Sequence, residues 1–292
     1  MSGIVERLGA RARLGDPGRP TALARRFAWL VRPLVAAFFG PRLEGFERLP
    51  RDRACLLVAN HSGSGASDVV CFVHAVLGQP GEPPRLTGMA HPAAFFVPLV
   101  ALYLRAFGAI PSTYAAAERA LGSGCSVLVF PGGDHEAFRP IWQAKRVDWN
   151  GRQGFLRLAR RAWVPIIPVG IRGTHYTLPI LWRSRVLPWL GILPRAFGIK
   201  RLPVTITWLA GAAAILALLA PTHGALVAVA ALAAWTACPL AFFIPVLPWR
   251  VRISFGERIE PGTLFGTRES TAPLDASYEV VRERVEALVR QG

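Results

Sequence analysis

Residues 202–249 contain no Asp, Glu, Lys or Arg, an uncharged run of 48 residues. A bilayer span takes about 20 apolar residues, so the run is long enough for two limbs. Pro221-Thr222-His223-Gly224 divides it near the middle. This spacing predicts an apolar helical hairpin, with limbs at residues 204–220 and 225–247. Lys200 and Arg201 precede it and Arg250 and Arg252 follow it, so both ends are expected on the cytoplasmic face. Pro239 and Pro245 interrupt the second limb and leave room for a re-entrant course. The competing reading is a hairpin buried inside a soluble domain. A chain of 292 residues rarely hides so long an uncharged stretch.

Composition agrees with a membrane setting. Hydrophobic residues make up 52% and charged residues 18%, which excludes a disordered chain and is too apolar for an ordinary soluble enzyme. The net charge is +16, and Lys145 and Lys200 are the only lysines, so arginine carries the excess. Such a surface favours an anionic partner, phospholipid headgroups or a phosphorylated substrate. Nucleic acid is the weakest candidate, because there is no zinc-finger spacing, RNP-like aromatic motif or lysine-rich tail. Four cysteines without a C-x-x-C argue against a disulfide scaffold or structural zinc and fit a reducing compartment. Residues 1–26 are rich in Arg and Gly and hold no continuous apolar run, so no secretory signal is expected.

Strands and helices alternate through the middle of the chain. Residues 54–59, 85–89, 125–130, 164–171 and 251–255 read as strands. Residues 68–77, 93–107, 114–121, 152–163 and 278–289 read as helices. This order predicts an α/β fold with a mixed, mostly parallel central sheet flanked by helices. Four segments follow: a basic lead-in with an amphipathic or interfacial helix (1–40, the helix near 27–39), an α/β core (41–202), the hairpin (203–248), and a returning strand with a C-terminal amphipathic helix (249–292).

Two strand ends carry chemistry. Asn60-His61-Ser62-Gly63 follows the first buried strand, and Asp68 opens the next helix. Ligands of open α/β sheets bind at the carboxyl ends of strands. On a continuous helix, His61 and Asp68 would be about 10 Å apart along the axis, too far to bond. The serines and glycines between them favour a loop that folds back and brings carboxylate to imidazole. Such a pair fixes the histidine tautomer and raises its basicity. The bland alternative is a structural histidine at a strand end. Phe130-Pro131-Gly132-Gly133-Asp134-His135-Glu136 closes another strand in a Gly-rich turn able to hold an anion. Arg139, Lys145 and Arg152 follow within reach of phosphate oxygens. No G-x-S-x-G elbow, P-loop or dinucleotide fingerprint is present.

The ordered set N-H-S-G-x-x-x-x-D, G-A-I-P, V-L-V-F-P-G-G-x-x-E and V-P-I-I-P-V resembles the glycerolipid acyltransferase family, the lysophospholipid acyltransferases among them. The resemblance covers residues 43–173 and the returning strand. It implies His61 as general base toward an acceptor hydroxyl and Asp68 as its orienting partner. It implies acceptor binding by Asn60, Ser62, Gly63, Pro131, Gly132, Gly133 and Glu136, with Arg139, Lys145 and Arg152 as an alternative clamp. Pro165 would shape the pocket. No metal or cofactor is implied; acyl-CoA or acyl carrier protein is the acyl donor, and membrane lipids are the acceptors. Three departures matter. The spacing is His-x6-Asp rather than His-x4-Asp, and the third block reads F-P-G-G rather than F-P-E-G. Both resemble the branch of type-2 diacylglycerol acyltransferases. Gly108-Ala109-Ile110 is followed by Pro111-Ser112-Thr113 without the arginine of phosphate-binding members, leaving room for a neutral acceptor. The expected function is therefore a membrane-associated O-acyltransferase. The alternatives are a non-catalytic lipid-binding protein of the same fold and a lipid hydrolase.

Overall fold

The computed structural model describes residues 16–63, 66–187, 201–238 and 240–291. Its centre is a seven-stranded sheet in the order β1-β9-β6-β2-β5-β3-β4. These strands are β1 (Arg42–Glu44), β2 (Leu56–Ala59), β3 (Leu86–Ala90), β4 (Ile110–Pro111), β5 (Ser126–Val129), β6 (Ile166–Arg172) and β9 (Arg252–Phe255). The five strands from β6 to β4 run parallel, while β9 meets β6 antiparallel and carries β1 beside it. The expected mixed, mostly parallel sheet is what the chain forms. β2 and β5 are apolar runs buried along their whole length, as central parallel strands must be.

The first helix, α1, runs Ala22–Phe38, five residues earlier than its apolar run suggested. The Thr21 side chain accepts the Ala24 N–H at 3.1 Å, an N-cap that sets this start. Ala24, Ala28 and Val35 are buried, while Leu23, Phe27, Leu30 and Leu34 form a second, exposed apolar stripe at helical spacing. The helix is thus both a core helix and an apolar surface. Residues 1–15 of the expected lead-in lie outside the described residues.

α2 (Ala66–Leu77) follows β2, and α3 (Pro98–Ala106) follows β3. The single helix expected over 93–107 is broken, with a 3-10 turn at Pro92–Phe96 and a restart at Pro98, whose ring cannot continue a preceding turn. Leu99 and Leu102 of α3 are exposed, and α3 packs beside α1. α4 (Tyr114–Gly122), the short α5 (Gly133–Ala137), α6 (Gly154–Ala162) and the one-turn α7 (Thr174–Thr177) complete the core.

The uncharged run forms a hairpin with different limbs. It opens as a strand, β8 (Leu202–Thr205), paired antiparallel with β7 (Ile180–Ser184), so the expected boundary at 202/203 cuts through this pair. α8 (Ile206–His223) and α9 (Ala225–Ala237) then meet at Gly224, whose φ of 84° lets the chain reverse. α9 ends ten residues before the expected position; beyond it come a short turn of helix, α10 (Leu240–Phe243), and an extended strap to Arg250. Pro239 lies outside the described residues. The limbs interlock at Gly211, where a Cβ would come within 2.4 Å of the Trp235 ring. Trp235 Nε1 donates to Trp208 O at 3.0 Å, and Trp208 Nε1 donates to Thr236 Oγ1 at 3.2 Å. α11 (Pro261–Phe265) and α12 (Asp275–Arg290) close the chain, with α12 laid on β6.

Candidate active site

β2 and β5 are adjacent and parallel, so their carboxyl ends deliver Asn60-His61 and Phe130-Pro131 to one edge of the sheet. The imidazole of His61 stacks on Phe130 with ring centroids 4.2 Å apart. Asn60 ties this end to β6: its Nδ2 donates to Ile171 O at 2.9 Å, and its Oδ1 accepts the Ile171 N–H at 2.7 Å. Gly63 turns the chain back with φ 54°, close against Thr174 O. The fold-back brings His61 Nδ1 to 2.9 Å from Asp68 Oδ2.

Asp68 is fully buried in the first turn of α2 and accepts two further bonds, from the Ser62 N–H at 2.5 Å and the Ser62 hydroxyl at 3.1 Å. The Ser62 hydroxyl also bonds the Thr174 hydroxyl, and Thr177 Oγ1 donates to Ser67 Oγ at 3.3 Å. α7 therefore latches the loop from behind. With Nδ1 committed to Asp68, Nε2 is the nitrogen left for a proton in transit.

The Gly-rich turn supports the histidine from the other side. Glu136, fully buried, accepts the His61 N–H at 2.9 Å and the Asp148 N–H at 3.2 Å. Arg139, also fully buried, lies 3.4 Å from the same carboxylate and donates to backbone carbonyls of Glu136, Gln143 and Arg146. Burial pushes Glu136 up to about 8, against the pull of Arg139 and the two N–H groups. Glu136 and Arg139 thus form an internal support rather than an open headgroup surface. Gly132 packs on Glu136 so closely that a Cβ would stand 2.3 Å from the glutamate Cβ.

The remaining expected residues divide. Gly133 takes φ 49°, and Arg152 binds this turn through Gly132 O at 2.9 Å and Asp134 at 3.2 Å. Lys145 is exposed in a separate groove. Pro165 precedes β6 at the amino end of the sheet, about 20 Å along the strand from Ile171, and bonds Leu56 N there. It shapes the far edge, not this one. Sequence reading missed Phe130 as a stacking surface, α7 as a latch, and His175. Burial pushes His175 down to about 3, helped by the nearby Arg139 charge. His175 had no sequence partner because its neighbours come from distant segments.

The family model that matches the chain is described as Acyltransferase, and the match covers residues 40–172. Among curated proteins, the chain is 31% identical over 180 residues to an uncharacterized protein of Mycobacterium tuberculosis, covering 60% of this chain and 49% of that one. It is 28% identical over 156 residues to the human DGAT1/2-independent enzyme synthesizing storage lipids, covering 53% and 47%. The chain spans about half the length of these relatives. Among solved structures, it shares its fold with PlsC, the 1-acyl-sn-glycerophosphate acyltransferase of Thermotoga maritima. That match has a TM-score of 0.50 at 20% identity, covering 92% of this chain and 80% of that one.

Proposed function

We propose that the protein is a membrane-associated O-acyltransferase that moves a fatty acyl group from acyl-CoA or acyl carrier protein to a hydroxyl of a glycerolipid or lysophospholipid. The observation that carries this reading is His61, held through Nδ1 on buried Asp68 at the carboxyl edge of the sheet. The acceptor hydroxyl gives its proton to His61 Nε2 as its oxygen attacks the thioester carbonyl. Asp68 stabilises the imidazolium. The tetrahedral intermediate collapses, the C–S bond breaks, and the thiolate leaves with the proton returned by His61. No acyl-enzyme, metal or cofactor enters this balance. Thr113 caps α4 where phosphate-binding members carry an arginine nearby, which favours a neutral acceptor such as diacylglycerol or another lipid alcohol.

The membrane reading is supported by exposure. α8 has mean hydropathy 1.5, is long and apolar enough to cross a bilayer, and only 6% of its residues are buried. A soluble core helix of that composition would be covered. α9, with 13 residues, is about 20 Å long, short of the hydrocarbon core of about 30 Å. The hairpin therefore enters and returns on one face, which we place on the cytoplasmic side. The exposed stripes of α1 and α3 lie in the headgroup region, with Arg25, Arg26 and Arg32 to meet anionic lipid.

The test is acyl transfer by purified protein in liposomes, with labelled acyl-CoA and a panel of lysophosphatidate, other lysophospholipids, monoacylglycerol and diacylglycerol. Product that vanishes in His61→Ala is expected. Folded protein inactive with every acceptor and with both donor types would overturn the reading in favour of a lipid-binding role.

A further inference from the structure

The carboxyl edge of the sheet gathers charge in a second place. Arg172 is the last residue of β6, Arg252 the first of β9 and Arg42 the first of β1. Strand register sets Arg252 beside both Arg172 and Arg42. Directly registered residues share a face of the sheet, and like charges so placed repel. Three arginines therefore occupy registered positions across three adjacent strands. Glu44 answers them, 3.7 Å from Arg252 and 4.0 Å from Arg172, and it also accepts the Ser254 hydroxyl.

Arg172 and Arg252 open into a groove whose other walls bring Lys145 and Arg250, with Trp249 and His175. No acidic residue lines it among the described residues. Gly173 lets the strap lie against α7: with φ 99°, a Cβ there would come within 2.2 Å of Arg250 O. His175 is buried, and its Nε2 has no hydrogen-bond partner among the described residues. It is thus a polar group without a partner among the described residues, in a groove whose charged lining is cationic. Trp249 is half-exposed and leans on Tyr176 at 4.9 Å, offering a ring face beside the charges.

We propose that this groove is a phosphate-binding subsite that seats a phosphoester of a substrate. Guanidinium forks match phosphate oxygens in geometry and charge, and the groove brings Lys145, Arg250 and Arg252 beside Arg172 to meet them. The source is either the nucleotide end of coenzyme A, whose base would stack on Trp249, or a lipid headgroup phosphate. Naming a substrate rests on the acyltransferase reading; affinity for phosphate does not. α7 joins the two sites, since Thr174 holds Ser62 of the catalytic loop while His175 faces the groove.

The experiment titrates the full chain in detergent micelles with 3′,5′-ADP, glycerol 3-phosphate and inorganic phosphate, reading the rise in Tm. A saturable rise is expected, weakened on the order of tenfold in Kd by Arg252→Gln and by Lys145→Gln, and unchanged in His61→Ala. Lys145 is exposed, so its variant stays informative if Arg252→Gln fails to fold. Tightest binding of 3′,5′-ADP assigns the donor; tightest binding of glycerol 3-phosphate assigns a headgroup. No rise with any of the three, or the same Kd in wild type and the folded variants, overturns the proposal. Binding without acyl transfer would sink the acyltransferase reading and leave the groove standing; transfer without binding would do the reverse.

Discussion

Asp68 Oδ2 sits between two donors that belong to consecutive residues, His61 Nδ1 at 2.9 Å and the Ser62 N–H at 2.5 Å. The carboxylate therefore fixes the ring and the backbone that carries it at once. Asp68→Asn removes the charge that stabilises the imidazolium, and its amide NH2, facing the ring, turns the imidazole toward the wrong tautomer. We expect kcat to fall roughly 10²- to 10⁴-fold, with little change in KM. The double variant His61→Ala/Asp68→Asn should be no worse than His61→Ala, because the two act as one unit. Additive losses in steady-state kinetics would contradict this.

Glu136 is a positioning residue, since it touches His61 through the backbone N–H and not through the ring. Gly132→Ala tests it without altering any polar group. The new Cβ would stand 2.3 Å from the Glu136 Cβ, so the glutamate must move. The N–H groups of His61 and Asp148 then lose their buried acceptor. Destabilisation of about 2–3 kcal/mol is expected in chemical denaturation, with kcat falling more than KM rises. An unchanged denaturation midpoint would show that the turn has room.

His175 gives stability a pH dependence of known sign. Its folded pKa is pushed down to about 3 from the ordinary 6.5, chiefly by burial. A depressed pKa means stability that is full above pH 6.5 and is lost as pH falls toward 3. Glu136, pushed up to about 8 from 4.5, has the opposite slope between those values. The histidine part is therefore read as a difference between wild type and His175→Asn. Wild type should lose a few kcal/mol more than the variant between pH 7 and 4. Parallel stability curves for the two proteins would refute it.

How much of this was legible beforehand depends on range. The sheet strands were visible because β2, β5 and β6 are buried along nearly their whole length and so read as unbroken apolar runs. The His61–Asp68 pair was visible because the partners flank one short loop, His61 at the strand end and Asp68 in the first turn of α2. Arg139 read as a surface clamp because its partner Glu136 is three residues away, and sequence does not say that both are buried. The arginine row was invisible, since Arg42, Arg172 and Arg252 meet only through strand register. The second hairpin limb was overextended because a uniform apolar run carries no signal for where a helix gives way to a strap.

The hairpin yields the last prediction. Leu226 of α9 is 84% exposed, so it touches little protein, and its apolar side chain has lipid as its natural surrounding in a membrane. A charge on a membrane-embedded helix costs about 3 kcal/mol near the bilayer centre. Leu226→Arg should therefore weaken binding to phosphatidylglycerol-containing vesicles on the order of 100-fold, read by sedimentation. The denaturation of the α/β core should not change. Gly211→Ile acts differently, because its side chain collides with Trp235 and separates α8 from α9. It should shift tryptophan fluorescence while vesicle binding persists, since the limbs keep their apolar surface. Full vesicle binding by Leu226→Arg would mean that α1 and α3, not the hairpin, hold the protein to the bilayer.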